Sequence, residues 1–225
     1  MIYIKSDKEI ELMRKPCEIV RDVLCLCEEK IRAGMTTKEL DKIAYDYITS
    51  CGATPSFLGY GGFPAATCIS IDEQVVHGFP SDRIIEEDQI VSVDVGAFFN
   101  GFHGDAARSL YVGHISPEKK KLIDVTRECF FEGIKGICIG SALGDIGAQV
   151  QEHAEKNGFS VVRDMVGHGV GRHLHEDPSV PNYGKRGVGV RLKRNMTIAI
   201  EPMINMGSRN IIIAQDGWTC RTRDH

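Results

Sequence analysis

The stretch VSVDVGAFFNGFHGDAARSL, residues 91–110, decides the fold because it has the pattern of a β-hairpin. Small or β-branched apolar residues recur at every second position from Val91, as in a strand with one buried face. The pair Asn100-Gly101 is a strong signal for a two-residue type I′ turn. If these two residues form the turn, Phe99 pairs with Phe102, and the register of the whole hairpin follows.

That register brings two acidic side chains together. Counting outward from the turn pairs Gly96 with Asp105 and Asp94 with Ala107. Because side chains alternate faces along a strand, Asp94 and Asp105 lie on one face as diagonal neighbours. Two carboxylates held this close repel each other unless a cation lies between them. The alternative is that both are exposed positions on an edge hairpin.

Composition restricts the class of protein. Of the 225 residues 42% are hydrophobic and 26% are charged, which is ordinary for a globular protein. The formal net charge of −4 argues against a nucleic-acid surface. Residues 1–15 lack the apolar core of a signal peptide, and no segment approaches a membrane span, so we expect a cytoplasmic protein with no membrane partner. The eight cysteines include no CxxC pair, and we expect reduced thiols.

Four helices are predicted around the β-patterned segments. Each predicted start carries a capping signal. These starts are Ser6 with Glu9, Thr36 with Glu39, Ser116 with Pro117, and Ser141. We therefore expect an α+β protein in which helices back a mostly antiparallel sheet.

A faint internal repeat relates the two parts of the chain. Adding 106 to a residue number places Leu40 on Ile146, and adding 107 places Asp94 on Glu201. We expect one domain, residues 1–225, built from two similar α/β halves at about 1–112 and 113–225. Chance similarity is the alternative explanation of so sparse a match.

The repeat also gives Asp94 a partner, because Glu201 ends the β-patterned segment MTIAIEP in the equivalent place. Between the acids lies MVGHGVGRHLHEDP, where glycines on both sides of His168 let the backbone approach closely and leave the imidazole free. A buried histidine with a backbone partner is the alternative for His168. Together with Asp105 these residues form an oxygen-rich set with one nitrogen donor. Such a set favours manganese, iron or cobalt and also admits zinc, and bridging carboxylates suit two metal ions.

Five segments spread along the chain carry a resemblance to a known family. They are GYGGFPAATCISIDEQVVHGFP, VSVDVGAFFNGFHGDAARS, VGHGVGRHLHEDP, AIEPM and DGWTCRTRDH. Because it contains all five segments, the chain resembles the type I methionine aminopeptidases of the bacterial form. The resemblance implies the pita-bread fold, with two pseudo-symmetric halves around a mostly antiparallel curved sheet. It also implies a monomeric metal-dependent hydrolase that uses two divalent ions and removes the initiator methionine from peptides and nascent chains, with the ribosome as a further partner.

The resemblance implies a role for each candidate residue. The metal ligands would be Asp94, Asp105, His168 and Glu201. Asp105 would bridge the ions, Glu201 would also assist proton transfer, His175 would lie near the scissile carbonyl, and His77 would contact the substrate amide. The methionine pocket would be lined by Tyr60, Phe63, Cys68, Leu174 and Trp218. From the sequence pattern alone, His77 would be a strand histidine and the pocket residues ordinary core.

One part of the family pattern has no counterpart in this sequence. The family carries a fifth ligand, a bridging glutamate, on a strand shortly beyond GWTCRTRDH, whereas this sequence stops at His225. We expect an omitted C-terminal piece; a molecule that ended there would bind at least one metal ion weakly and lose most activity. Two other functions stay open. One is an Xaa-Pro peptidase of the same fold, and the other is an impaired relative that binds N-termini without cleaving them.

Overall fold

Four α-helices and eleven β-strands form the computed structural model, which describes residues 1–225. The helices are α1 (Asp7–Lys30), α2 (Thr37–Ser50), α3 (Pro117–Ile134) and α4 (Leu143–Lys156). The strands of the first half are β1 (Thr54–Pro55), β2 (Thr67–Ile71), β3 (Gln74–Val76), β4 (Ile90–Phe99) and β5 (Phe102–Tyr111). Those of the second half are β6 (Ser160–Val161), β7 (Gly167–Gly169), β8 (Glu176–Val180), β9 (Ile204–Asn205), β10 (Ile211–Ile213) and β11 (Cys220–Thr222). A short 3-10 helix, Tyr60–Gly62, precedes β2.

The first two helices begin with the predicted capping boxes. The backbone N–H of Glu9 donates to the Ser6 hydroxyl at 3.3 Å, and the Ser6 N–H donates to the Glu9 carboxylate at 2.8 Å. Thr36 and Glu39 make the same two bonds at 3.1 and 2.7 Å. Each box satisfies backbone donors that the first helical turn leaves free, which fixes where the helix starts.

The third predicted start is confirmed, and the fourth is wrong by one residue. Helix α3 follows Ser116, with Pro117 in its first turn. The N-cap of α4 is Ala142, whose N–H donates to the Asp145 carboxylate at 2.7 Å. The Ser141 hydroxyl instead accepts from the N–H of Cys138 at 3.1 Å. That turn uses the hydroxyl of Ser141, the residue before the N-cap, so Asp145 supplies the cap contact.

Strands β4 and β5 form the predicted hairpin in the predicted register. Phe99 pairs with Phe102, Gly96 with Asp105, and Asp94 with Ala107. Asn100 and Gly101 have φ values of 50° and 84°, the positive values that a type I′ turn requires. The turn geometry therefore places both aspartates on one face, as the sequence predicts.

The opposite face of β4 is the centre of the first hydrophobic core. Val91, Val93 and Val95 are fully buried and pack with apolar residues of α1 and α2. Helix α1 crosses β5 at Gly104, where a Cβ atom would lie 2.6 Å from the backbone nitrogen of Cys17. A side chain at this glycine would push the helix away, so the close crossing fixes the hairpin against its backing layer.

All four sheets are antiparallel, which confirms the predicted strand arrangement. In the largest sheet, β4 pairs with β1, β2 and β5. Strand β11 lies between β10 and β3, while β6 pairs with β9 and β7 with β8. The β10–β11–β3 sheet joins the end of the chain to the first half, next to the segment that carries His77.

The two parts of the chain repeat their local structure. Helices α2 and α4 have 14 residues each, and their first residues, Thr37 and Leu143, are 106 apart as the repeat predicts. Gly34 donates to the carbonyl of Ile85 and Gly140 to that of Leu192, both at 2.9 Å. A second hydrophobic core, distinct from the first, packs α3 and α4 against β6 and β9. The boundary near residue 112 and the single catalytic domain stay predictions.

The segment before Glu201 differs from the expectation. Residues 196–202 form no regular strand and contain one isolated bridge, between Ile198 and Gly169. Ala199 exchanges two backbone hydrogen bonds with His168, at 2.7 and 3.2 Å. The partner strand β7 has only three residues, so no long ladder forms. These two bonds nevertheless hold the backbone before Glu201 beside His168.

Candidate metal centre and substrate pocket

The predicted acidic residues and His168 converge at one place. The Nε2 atom of His168 lies 3.6 Å from Asp105 Oδ2 and 3.2 Å from Glu201 Oε1. Burial raises the pKa of Asp94 well above its usual value, and the neighbouring carboxylates of Asp105 and Glu201 raise it further. The hairpin, β7 and the segment before Glu201 thus bring all four predicted ligands together.

The orientation of His168 is set by its other ring nitrogen. Nδ1 lies 2.8 Å from the carbonyl oxygen of Gly169, and we assign it as the protonated donor. That assignment leaves the Nε2 lone pair facing the acids, the arrangement in which a histidine is ready to bind a metal ion. His168 therefore has both features that the sequence left as alternatives: one ring nitrogen bonds to the backbone, and the other is free to bind a metal ion.

The electrostatics of this cluster favour a cation. Burial, and then the charge of Asp105, raise the pKa of Glu201 to about 7. Its Oε1 atom is buried and accepts no hydrogen bond. Desolvation lowers the pKa of His168, but the neighbouring carboxylates of Asp105 and Glu201 outweigh it and raise the value. Buried carboxylates with an orphaned oxygen are what a divalent cation would neutralise.

The donor set fits a divalent metal ion, although the side chains do not yet enclose one. No three His, Cys, Asp or Glu side chains surround a common point as they stand. Ligands about 2.1 Å from one ion in a tetrahedral arrangement lie about 3.4 Å apart. The two contacts of His168, at 3.6 and 3.2 Å, have that spacing. Both distances are therefore compatible with shared coordination of one ion.

Four of the five predicted pocket residues form one apolar cluster. Phe63, Cys68 and Leu174 are buried in it, and Trp218 packs against it. The rings of Phe63 and Trp218 meet edge to face with centroids 5.4 Å apart. The cluster also contains Phe57, Ala65 and Phe79, which the sequence reasoning did not select. For Phe79 a signal existed, because it lies two residues after His77 in the quoted segment.

The apolar cluster adjoins the acids directly. Cys68 in β2 is paired with Asp94 in β4. Burial raises the pKa of the Cys68 thiol well above its usual value, and the charge of Asp94 adds to this effect. Cys68 therefore places a neutral, polarizable thiol of the apolar cluster beside the acidic cluster.

Tyr60 and His175 lie at the rim of this site. The Tyr60 hydroxyl is 2.8 Å from Nδ1 of His175, and the His175 ring is 4.2 Å from that of His168. Partial burial and the nearby charge of His168 lower the pKa of His175. Tyr60 thus contacts a candidate catalytic residue and lies outside the apolar cluster, and its place in the methionine pocket stays a prediction.

His77 differs from the strand histidine that the sequence pattern alone indicates. It follows β3 and has a φ of 59°, in the left-handed region that few side chains adopt. The Thr219 hydroxyl donates to its carbonyl at 3.4 Å. Burial lowers the pKa of His77, and its charge in turn lowers that of His175. The two imidazoles are therefore close enough for their charges to interact.

Asn182 is a further residue that the sequence reasoning missed. Its side chain is fully buried, and Nδ2 donates to the backbone carbonyl of Glu201 at 2.5 Å. Its Oδ1 atom has no hydrogen-bond partner. A single asparagine within VPNY gives no local signal, because its contact with Glu201 spans 19 positions.

Comparison with known proteins decides the family. The model of metallopeptidase family M24 matches residues 11–224. The chain belongs to this family. A methionine aminopeptidase of Clostridium perfringens is 53% identical over all of this chain and 90% of its own length. A crystal structure of methionine aminopeptidase from Rickettsia prowazekii is 40% identical, with a TM-score of 0.98 over the whole chain and 91% of its own.

A prolidase is a more distant structural relative of this chain. The structure of a prolidase from Pyrococcus furiosus is 27% identical and matches with a TM-score of 0.76, over 88% of this chain and 57% of its own. These matches confirm the α+β pita-bread fold and the resemblance to bacterial type I methionine aminopeptidases. Membership of a metallopeptidase family also confirms dependence on divalent metal. None of the helices is both long and apolar enough to span a bilayer.

Proposed function

We propose that this protein is a methionine aminopeptidase that removes an N-terminal methionine from peptides and nascent chains. The observation that carries the proposal is that the apolar cluster adjoins the acidic cluster, because Cys68 of β2 pairs with Asp94 of β4. A peptide whose first side chain entered the pocket would present its first amide bond to the acids. The similarity to proteins named methionine aminopeptidase supports the same activity.

The pocket suits a linear thioether. Phe63 and Trp218 offer ring edges and faces, and Cys68 offers a neutral sulfur. A thioether gains from aromatic contact and from its unbranched, flexible shape. Methionine should therefore fit better than leucine, whose branch at Cγ does not suit a slot shaped for an unbranched side chain.

We propose that the residues holding the metal are Asp94, Asp105, His168 and Glu201. Two divalent ions, of cobalt, manganese, iron or zinc, would suit the three carboxylates with Asp105 as a bridge. The chemistry supplied by bound ions is activation of water and stabilisation of negative charge on the substrate carbonyl.

The protein's own side chains have further roles in the proposed reaction. Glu201, which lies 3.2 Å from His168 in the acidic cluster, can accept a proton from the attacking water and return it to the departing amine. The Tyr60 hydroxyl, assigned as donor to Nδ1 of His175, leaves the proton of the neutral imidazole on Nε2. His175 can then donate to the carbonyl oxygen as it becomes negative, and His77 can hold the substrate amide.

The proposal extends to location and partners. All eight cysteines are free, which suits a reducing compartment, so we place the protein in the cytoplasm. Its substrates would be the N-termini of newly made chains, and its expected partner there is the ribosome. We propose a monomer with a single catalytic domain, because both halves contribute ligands to one centre.

A peptide panel tests the function against its alternatives. Protein supplied with manganese is incubated with Met-Ala-Ser, N-acetyl-Met-Ala-Ser and an Ala-Pro peptide, and the products are identified by mass spectrometry. We expect free methionine from the first peptide only, because acetylation blocks the N-terminus. Cleavage confined to the Ala-Pro peptide would indicate an Xaa-Pro peptidase. Tight binding of Met-Ala-Ser without product would indicate a binding module.

A further inference from the structure

A buried ion pair lies directly behind the loop that carries His175. The Nζ atom of Lys5 is 2.5 Å from Glu176 Oε2, and the two side chains are 5% and 2% exposed. Most other ion pairs of the chain join solvent-exposed side chains, such as Lys42 and Asp46 on α2 at 72% and 55% exposure. The Lys5–Glu176 pair also joins positions 171 residues apart.

The pair is tied to the backbone of the loop. The N–H of His173 donates to Glu176 Oε1 at 3.2 Å, and the N–H of Gly171 donates to the carbonyl of His173 at 3.1 Å. A Cβ atom at Gly171 would lie 2.6 Å from Cε of Lys5 and 2.7 Å from Glu176 Oε1. Glycine at this position therefore lets the loop close directly onto the ion pair.

The loop itself carries two residues of the proposed site. Leu174 is buried in the apolar cluster, and His175, the residue before Glu176, touches His168 and Tyr60. A displacement of Glu176 would be transmitted through one peptide unit to His175. Because a shift of about 1 Å in a catalytic group can cost about 100-fold in rate, a rigid support here matters for the reaction.

Stability alone is a weak reason for such a pair. Desolvating two charges costs as much as their attraction returns, and similar-sized apolar residues often replace a buried pair without loss. The Glu176 carboxylate does accept directional hydrogen bonds that an apolar contact lacks. One oxygen accepts from the Lys5 ammonium group and the other from the N–H of His173. Those bonds fix where the loop lies, which dispersion contacts do less sharply.

We propose that Lys5 and Glu176 are positioning residues that hold the Gly171–His175 loop so that His175 faces the reacting carbonyl. The inference rests on the proposed function for its kinetic part. The N-terminal segment before α1 thereby takes part in organising the proposed active site.

The test separates positioning from stability. The double variant Lys5→Met/Glu176→Met removes both charges and keeps side-chain volume. We expect a Tm within about 4 °C of wild type, which in a chain of this size corresponds to a change of about 1 to 2 kcal/mol in the free energy of unfolding. We also expect a kcat for Met-Ala-Ser about 10- to 100-fold lower, with KM changed less because Phe63, Cys68 and Trp218 lie on other elements. The exposed pair supplies the matched control, Lys42→Met/Asp46→Leu, for which kcat should equal wild type.

A conservative variant and a second readout complete the experiment. Glu176→Gln keeps an acceptor for the His173 N–H and should recover part of the lost kcat. In the metal-free proteins, ¹⁵N NMR of the His175 ring reports its hydrogen bond to Tyr60, and this signal should change in the double variant. A double variant with wild-type kcat and an unchanged His175 signal would overturn the proposal. If wild type itself released no methionine, the proposed function would fail, and the NMR comparison would still decide the positioning role.

Discussion

Replacing Phe63 by leucine asks whether the aromatic cluster is a substrate pocket or ordinary core. Phe63 is 3% exposed, and its ring lies 5.4 Å from that of Trp218 and 5.1 Å from that of Phe79. The substitution keeps an apolar side chain and removes the ring. Both aromatic pairs are lost, and at about 0.5 to 1.5 kcal/mol each the protein should lose about 1 to 3 kcal/mol of stability.

The effect on catalysis follows from the substrate sulfur. A thioether in contact with an aromatic ring gains about 0.3 to 1.5 kcal/mol, so its loss should lower kcat/KM for Met-Ala-Ser by about 2- to 12-fold. Leucine has no sulfur, and kcat/KM for Leu-Ala-Ser should change little. The ratio of the two specificity constants should therefore fall in the Phe63→Leu variant.

The assay measures both peptides with both proteins at one metal concentration, and urea unfolding gives the stability change. Phe131→Leu is the matched control, because Phe131 is 55% exposed on α3 and far from the cluster in sequence. The control should keep the wild-type ratio. If Phe63→Leu loses stability but keeps the wild-type ratio of Met to Leu cleavage, the cluster is ordinary core and the pocket assignment is wrong.

Three further predictions concern the metal centre, the core and the buried pair. Asp94→Asn should abolish hydrolysis and weaken metal binding while leaving the fold largely intact, measured by metal content and circular dichroism; normal turnover would exclude the site. Val93→Ala removes two methyl groups from a fully buried position and should cost about 2 kcal/mol in urea unfolding, whereas a loss below about 0.5 kcal/mol would contradict the packing. Burial raises the pKa of Glu176, but Lys5 and the loop N–H groups outweigh it and leave the value below normal. The stability that Glu176 contributes is therefore present at neutral pH and lost as pH falls through its folded pKa. The Tm difference between wild type and Glu176→Gln should shrink below about pH 4. A difference that grows there would contradict the lowered pKa of Glu176.

Local signals in the sequence account for the parts of the fold that were predicted. The turn at Asn100-Gly101 fixes the register of β4 and β5, and that register alone brings Asp94 and Asp105 to one face. Capping boxes fix the starts of α1 and α2 because the bonds involved span three residues. In these cases the determining contacts are close in sequence, so a pattern can reveal them.

Contacts between distant segments account for what was not predicted. The backbone conformation of His77 depends on its place between β3 and the segment that carries Thr219, not on the valines before it. The Asn182 amide and the Lys5 ammonium have no pattern of their own, since their partners are 19 and 171 residues away. The segment before Glu201 has strand-like periodicity but only a three-residue partner in β7, so its ladder stays short.

The central claim is that the acidic cluster holds the metal on which removal of methionine depends. The most direct measurement titrates manganese into metal-free protein by calorimetry and follows methionine release from Met-Ala-Ser in the same samples. We expect release to rise with bound metal, to stop on chelation and to return when metal is restored, and we expect His168→Ala to show neither binding nor release at the same concentrations. Release that continues at an undiminished rate in protein shown to be metal-free, or in His168→Ala, would contradict it.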